Sequence, residues 1–187
     1  HAVAADLGKD IPLESVSPDV GLEYYIRVGG VSEWLQLEGF SMGLSNSGSM
    51  GGAGGGAVAG KASATDLHSL LGSSSTIVEL TLALASGEHI KDVEIEAYRA
   101  GGDKGAQLVD QYYFEDVLVT GLNTGGANVN SVSLDFAKFS HGHIEQDDKG
   151  GAGPTPEAGW DFAENKVFSH AVAADLGKDI PLESVSP

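Results

Sequence analysis

The stretch GGAGGGAVAGKAS sets Gly55, four residues, Gly60 and Lys61 in the order of a phosphate-binding loop. Such a loop cradles phosphate with backbone N–H groups and needs Ser or Thr after the lysine to hold Mg²⁺. Ala62 stands there instead, and the next residues are strand-like rather than helical. The stretch therefore reads as a glycine-rich arm. His141, His143 and Glu145 alternate, so on a strand they share one face and offer two imidazoles and a carboxylate to a metal. No neighbouring residue in sequence supplies a fourth ligand, though His68 or His89 could approach. Polar residues on a solvated barrel face explain the three equally well. Glu145, Asp147, Asp148 and Glu157 are oxygen donors suited to Ca²⁺, but without the spaced acidic loop that binds it. Trp34 and Trp160 could stack on sugars; Trp160, between Gly159 and Phe162, is better suited to packing a barrel end. There is no G-x-S-x-G elbow and no cysteine, which excludes thiol catalysis, disulfides and Cys-based zinc sites. The expectation is a protein with no catalytic residue, no metal and no cofactor.

The surrounding pattern is mostly β. LEYYIRV (22–28) is aromatic and β-branched, and SEWLQLEGFSMGLS (32–45) reads as one long strand with a bulge near Gly39. TDLHSLLG (65–72) reads as another strand. STIVELTLALASG (75–87) fits both periods. The capping-box pattern Thr76–Glu79 and the terminal Gly87 decide for a helix over 75–86. KDVEIEAYRA (91–100) sets Val93, Ile95 and Ala97 on one face and Glu94, Glu96 and Tyr98 on the other. Residues 108–120 and 129–145 are long strands, the second placing Val132, Leu134 and Phe136 opposite Ser131, Ser133 and Asp135. The expected fold is mainly β: an antiparallel barrel with one flanking helix.

One feature lies outside this pattern. HAVAADLGKDIPLESVSP occurs twice, once as 1–18 and again, letter for letter, as 170–187. That spacing is far longer than the roughly 20–50-residue units of solenoids and propellers. It reads as one whole domain of a tandem array, with the start of the next attached. On this reading 1–20 and 169–187 are inter-repeat linkers around a domain at 21–168. Each linker is a short helix, capped by Ser169 in the second copy, and then a proline-bounded connector. Its contact residues are His1, Leu7, Ile11, Pro12 and Pro18 in the first copy, and His170, Val172, Leu176, Ile180, Pro181 and Leu182 in the second. The apolar residues of the second copy are expected to have no cover within this chain. Gly51, Gly52, Gly54, Gly55 and Gly56 form an arm expected to order against a neighbouring domain, since so many glycines cost backbone entropy to fix.

The order of motifs resembles the Hcp (haemolysin-coregulated protein) family of type VI secretion. YYIRVGGV (24–31) and WLQLEGFSMGLS (34–45) resemble its opening strands. LASGEHIKDVEIEAYRAGG (84–102) is similar to its helix end and next strand, and YYFEDVLVTGLNTGG (112–126) and VNSVSLDFAKFSHGHIE (129–145) to its long strands. GWDFAENK (159–166) resembles its terminal motif. The resemblance implies a β-barrel with one helix, hexameric rings stacked into a tube, and no catalytic residues.

The 187 residues carry 27 acidic and 10 basic side chains, a net charge of −17. Such acidity argues against nucleic acid and anionic membranes as partners, and no apolar run approaches a membrane span. The expected partner is the protein itself, in neighbouring repeats and chains. Three functions are consistent with this reading. The first is a structural module whose domains build ring-stacked tubes or extracellular filaments, on the cell surface or outside the cell. The second is a type VI inner-tube protein, made in the cytoplasm and secreted. The third is a spacer repeat of a large adhesin.

Overall fold

The strand-forming stretches build an antiparallel sheet that curls until β9 and β10 meet and close it. The structure is a computed structural model, and it describes residues 21–50, 57–58, 60–99, 106–149 and 151–172. The strands are β1 (Glu23–Val28), β2 (Leu35–Ser41), β3 (Leu44–Asn46), β4 (Ser49–Met50), β5 (Ala57–Val58), β6 (Ala62–Ala64) and β7 (Leu67–Gly72). After helix α1 (Ser75–Ser86) come β8 (His89–Arg99), β9 (Gln107–Asn123), β10 (Val129–His143), β11 (Glu157–Asp161) and β12 (Lys166–Val167). The main sheet runs β12-β11-β10-β7-β2-β1-β8-β9, and β9 also pairs with β10. That last pairing closes the six strands from β10 to β9 into a barrel. Closure leaves those six strands no open edge between them, so the sheet's remaining edge is on the β11–β12 branch.

Alternation places Ile26, Val28, Leu37, Leu67, Leu71, Val93, Ile95, Phe114, Val132 and Leu134 in the core. The inward phase is not uniform. On β9 it passes from Phe114 to Val117, and on β10 from Phe139 to Phe136; these are cross-strand partners. Between them Asp116 adopts φ 56°, a left-handed conformation that Asp tolerates better than most residues.

The expected strand 32–45 is interrupted at Met42-Gly43, and β3 leaves the barrel. The bulge expected near Gly39 is present as a register shift between Leu37 and Gly39. Outside the barrel β3 pairs with β6 and β4 with β5, so the described parts of the glycine-rich arm are antiparallel ribbons. Gly51, Gly52, Gly54, Gly55 and Gly56 lie outside the described residues.

Helix α1 spans the expected residues, and Ile77, Leu80 and Ala83 face the core. The capping box does not form. The N-cap is Ser74, with no side-chain cap, and Thr76 is already inside the first turn and buried. The C-terminus is as expected. Gly87 takes φ 67°, the Gly87 N–H points to Leu84 O at 3.4 Å and the Glu88 N–H to Ala83 O at 3.2 Å. This is the Schellman arrangement, and it satisfies carbonyls that the helix leaves unpaired.

Candidate assembly surface

A closed barrel must associate through its side chains and projections. On α1, Val78 and Leu82 are 70% and 63% exposed. Four residues apart, they form one apolar stripe on the face turned away from the core. Leu44, 58% exposed at the base of the arm, borders an apolar groove of about 250 Å³ shared with Ala62, Phe139, Trp160 and Phe162. Trp160 sits on β11 opposite Phe139, outside the six strands of the barrel, where it lines this groove rather than packing a barrel end, and its indole N–H is buried without an acceptor among the described residues. Leu70 and Val129, both partly exposed, flank the β7–β10 pairing as a smaller patch. Scattered exposed hydrophobics need no explanation, but paired ones beside a groove are suited to contact.

The outer wall around β8 is unusual. Glu94 and Glu96 point away from the core, as the alternation requires, yet they are 2% and 0% exposed. The Gln111 side-chain amide donates to both carboxylates. The Tyr98 hydroxyl donates to Glu96, and the Arg27 guanidinium holds Asp92 and Glu94 at 3.1 Å each. Burial disfavours the Arg27 charge, but the hydrogen bonds and charges of Glu94 and Asp92 outweigh it and hold the guanidinium above its ordinary pKa. Burial, reinforced by Glu115, likewise pushes the Tyr113 hydroxyl up to about 12, which keeps it neutral.

Two of the three candidate metal ligands meet, though around an acid. His141 Nε2 and His143 Nδ1 each lie 2.9 Å from Asp110 Oδ1. Tyr112 stacks on His141 with centroids 4.1 Å apart. Glu145 is not part of this group; its backbone N–H donates to Pro154 O. His68 is bonded to Ser133 Oγ and His89 to Asp116 Oδ1, each at 2.9 Å, so neither approaches. Among the described residues no group of three or more ligands is arranged for a metal. Asp147 folds back on its own loop, accepting the N–H groups of Lys149 and Gly151.

Burial alone would raise the Asp110 pKa, but the hydrogen bonds and charges of His141 and His143 hold it below its ordinary 3.8. A depressed folded-state pKa adds stability above the ordinary value, and that stability is lost as pH falls through the lower folded value. Asp110→Asn is therefore expected to cost about 1 kcal/mol near neutral pH, a modest figure because both imidazoles reach solvent. The difference from wild type should shrink as the pH drops below Asp110's ordinary 3.8. Urea unfolding of both proteins at neutral and acid pH checks this; a gap that persists in acid would refute it.

The second copy of the doubled segment begins on this wall. His170 stacks on Tyr113, centroids 3.6 Å apart and planes 3° from parallel. The His170 N–H reaches Ser140 Oγ at 3.3 Å, and the Val172 N–H reaches Glu157 Oε1 at 3.1 Å. A side chain at Gly142 would collide with Val172, since its Cβ would fall 2.1 Å from Val172 Cγ2. The expectation that Val172 has no cover within the chain is therefore corrected: the glycine leaves a notch, and Val172 fills it. The other linker residues, His1, Leu7, Ile11, Pro12, Pro18, Leu176, Ile180, Pro181 and Leu182, lie outside the described residues.

Comparison with known proteins bears on the whole arrangement. No curated protein sequence matches the chain significantly. Among solved structures, a type six secretion system protein superposes with TM-score 0.69 at 24% identity, covering 79% of this chain and all of its own. Hcp1 from Salmonella typhimurium gives TM-score 0.62 at 20% identity, covering 79% of this chain and 99% of its own. Hcp3 from Pseudomonas aeruginosa gives 0.54 at 14%, covering 76% and 99%. At these identities the likeness shows the fold: the barrel with its flanking helix α1 is the Hcp fold. The family model described as "Type VI secretion system effector, Hcp" matches residues 26–143, well over half of the sequence, and the chain belongs to the Hcp family.

Proposed function

We propose that the chain is a ring- and tube-forming protein of a type VI secretion system, acting by self-assembly rather than by chemistry. The observation that carries this reading is the pairing of a closed Hcp-type barrel with exposed apolar contact elements at separate places on it. These are the α1 stripe and the groove beside the arm. Contacts between two different patches on identical subunits close into rings or propagate as fibres. Such contacts are built from apolar side chains that gain by leaving water.

Replacing Val78 and Leu82 together by aspartate is expected to shift the protein from rings to monomers, with its circular dichroism and unfolding midpoint unchanged. Both side chains point away from the core, so the fold has little to lose. Sedimentation velocity and negative-stain electron microscopy read the outcome. Rings that persist in the double variant would remove the helix stripe from the contact.

A second reading is favoured by one observation, the doubling of His1–Pro18 as His170–Pro187. In it, Hcp-type domains are strung in one polypeptide, and covalent linkage raises the effective concentration of each domain for the next. Full gene length discriminates. A further identical unit supports the array, and a stop soon after residue 187 supports the single tube protein.

A further inference from the structure

The wall that seats His170 to Val172 is built from three strands: Tyr113 on β9, Ser140 and Gly142 on β10, and Glu157 on β11. The seat uses few features of its occupant. It takes an imidazole for the stack, a backbone N–H for Ser140, a second N–H two residues on for Glu157, and a branched side chain small enough for the Gly142 notch. His1-Ala2-Val3 presents the same groups at the same spacing, because the segment from His1 to Pro18 is identical to that from His170 to Pro187. A seat complementary to one copy is thereby complementary to the other.

We propose that this cradle is a receptor for the His1-Ala2-Val3 segment of a second copy of this chain, in competition with the resident His170-Ala171-Val172. One barrel would then be fastened to the next through an exchanged segment. Three residues with one aromatic stack, itself worth about 0.5–1.5 kcal/mol beyond burial, make a weak contact. The resident copy is held by its short tether, since Phe168 N–H is bonded to Gly159 O and only Ser169 lies between Phe168 and His170. An incoming copy prevails where its own effective concentration is high, as between barrels already in contact. Ring formation is a separate event on other surfaces and is read separately.

The absence of native cysteines allows a direct test on the full chain. Gly142→Cys with Val172→Cys should give an intramolecular disulfide, recording the resident register. Gly142→Cys with Val3→Cys, in a Val172→Ala background, should give disulfide-linked dimers and higher species on non-reducing gels at concentrations where barrels associate. Gly142→Cys with Ala5→Cys in the same background, out of register, should give few. Monomers only, whether uncrosslinked or internally bridged, or equal yields from positions 3 and 5, would overturn the proposal.

Should the Gly142 variants fail to fold, a labelled synthetic HAVAADLGKDIPLESVSP peptide serves as probe. The full chain carrying His170→Ala and Val172→Ala should bind it at least about tenfold more tightly than wild type, because the tethered competitor is weakened. A scrambled peptide should not bind. Equal affinity for wild type and variant, or for the scrambled peptide, would overturn the proposal.

Discussion

Phe114→Ala is expected to lower the unfolding free energy by about 3–5 kcal/mol, the range for emptying a fully buried aromatic site. Phe114 has no exposed surface and stands at the meeting of three elements. Its ring lies edge-on to Phe136 at 4.9 Å and tilted against Phe139 at 5.7 Å, and Phe136 in turn meets Phe162 at 6.0 Å. Removing it deletes aromatic pair contacts as well as buried area. The strands around it are locked by hydrogen bonds on both sides, Val93 on β8 and Phe139 on β10, so the wall cannot collapse into the void. Against a total stability of roughly 5–15 kcal/mol for a domain, the loss is large. Urea unfolding at neutral pH measures it. A change below about 1.5 kcal/mol, well under the usual range for such a deletion, would mean that the barrel relaxes around the site far more than a closed sheet should.

The barrel is largely legible in the sequence because its strands alternate. Val93, Ile95 and Ala97 on β8, and Val132, Leu134 and Phe136 on β10, fall on one face by period alone and are buried together. Helix α1 is legible through Gly87, whose left-handed conformation ends it as read. Its beginning is less so, because a capping box is a pattern of types, and Thr76 and Glu79 carry those types without the geometry. The reversal of phase between Phe114 and Val117 has no signal of period 2. Only the left-handed Asp116 marks it, and Asp is not confined to that conformation as a glycine would be.

The surface is less legible, for a physical reason. A row such as Glu94, Glu96 and Tyr98 has the pattern of a solvated face; its direction follows from the alternation, but its exposure does not. Burial of an outer face depends on what lies over it, which alternation along one strand does not encode. The spacing of His141 and His143 places them together, but the acid between them, Asp110, is 31 and 33 residues away and arrives through the cross-strand register. The cradle for His170 and Val172 had one signal within reach: Gly142 between two histidines in SHGHIE, a strand position with no side chain of its own. Glycine inside a strand often marks a close approach by another part of the chain.

Arg27→Ala is expected to cost about 3–5 kcal/mol, the penalty for breaking a buried ion pair from one side. The asymmetry of the site sets this size. Arg27 itself is partly open, its side chain 27% exposed, whereas that of Glu94 is only 2% exposed. Removing the guanidinium takes one charge partner from a carboxylate in a region of low dielectric, beside a second buried acid, Glu96, with Gln111 bridging the two. The guanidinium also lies 5.9 Å from the centre of the Trp34 ring, so its loss removes packing as well as charge. Arg27→Lys should fall between the wild type and Arg27→Ala. A single ammonium keeps the charge, but it lacks the fork that reaches Asp92 and Glu94 at once. Arg27→Ala combined with Glu94→Gln should be more stable than Arg27→Ala alone, because the amide no longer needs a counter-charge. Chemical unfolding of wild type, both single variants and the double variant gives the coupling energy directly. If Arg27→Ala costs less than about 1 kcal/mol, the pair behaves as an exposed surface bridge. The buried acids of the outer wall would then draw their stability from their other partners, Gln111 and Tyr98 among them.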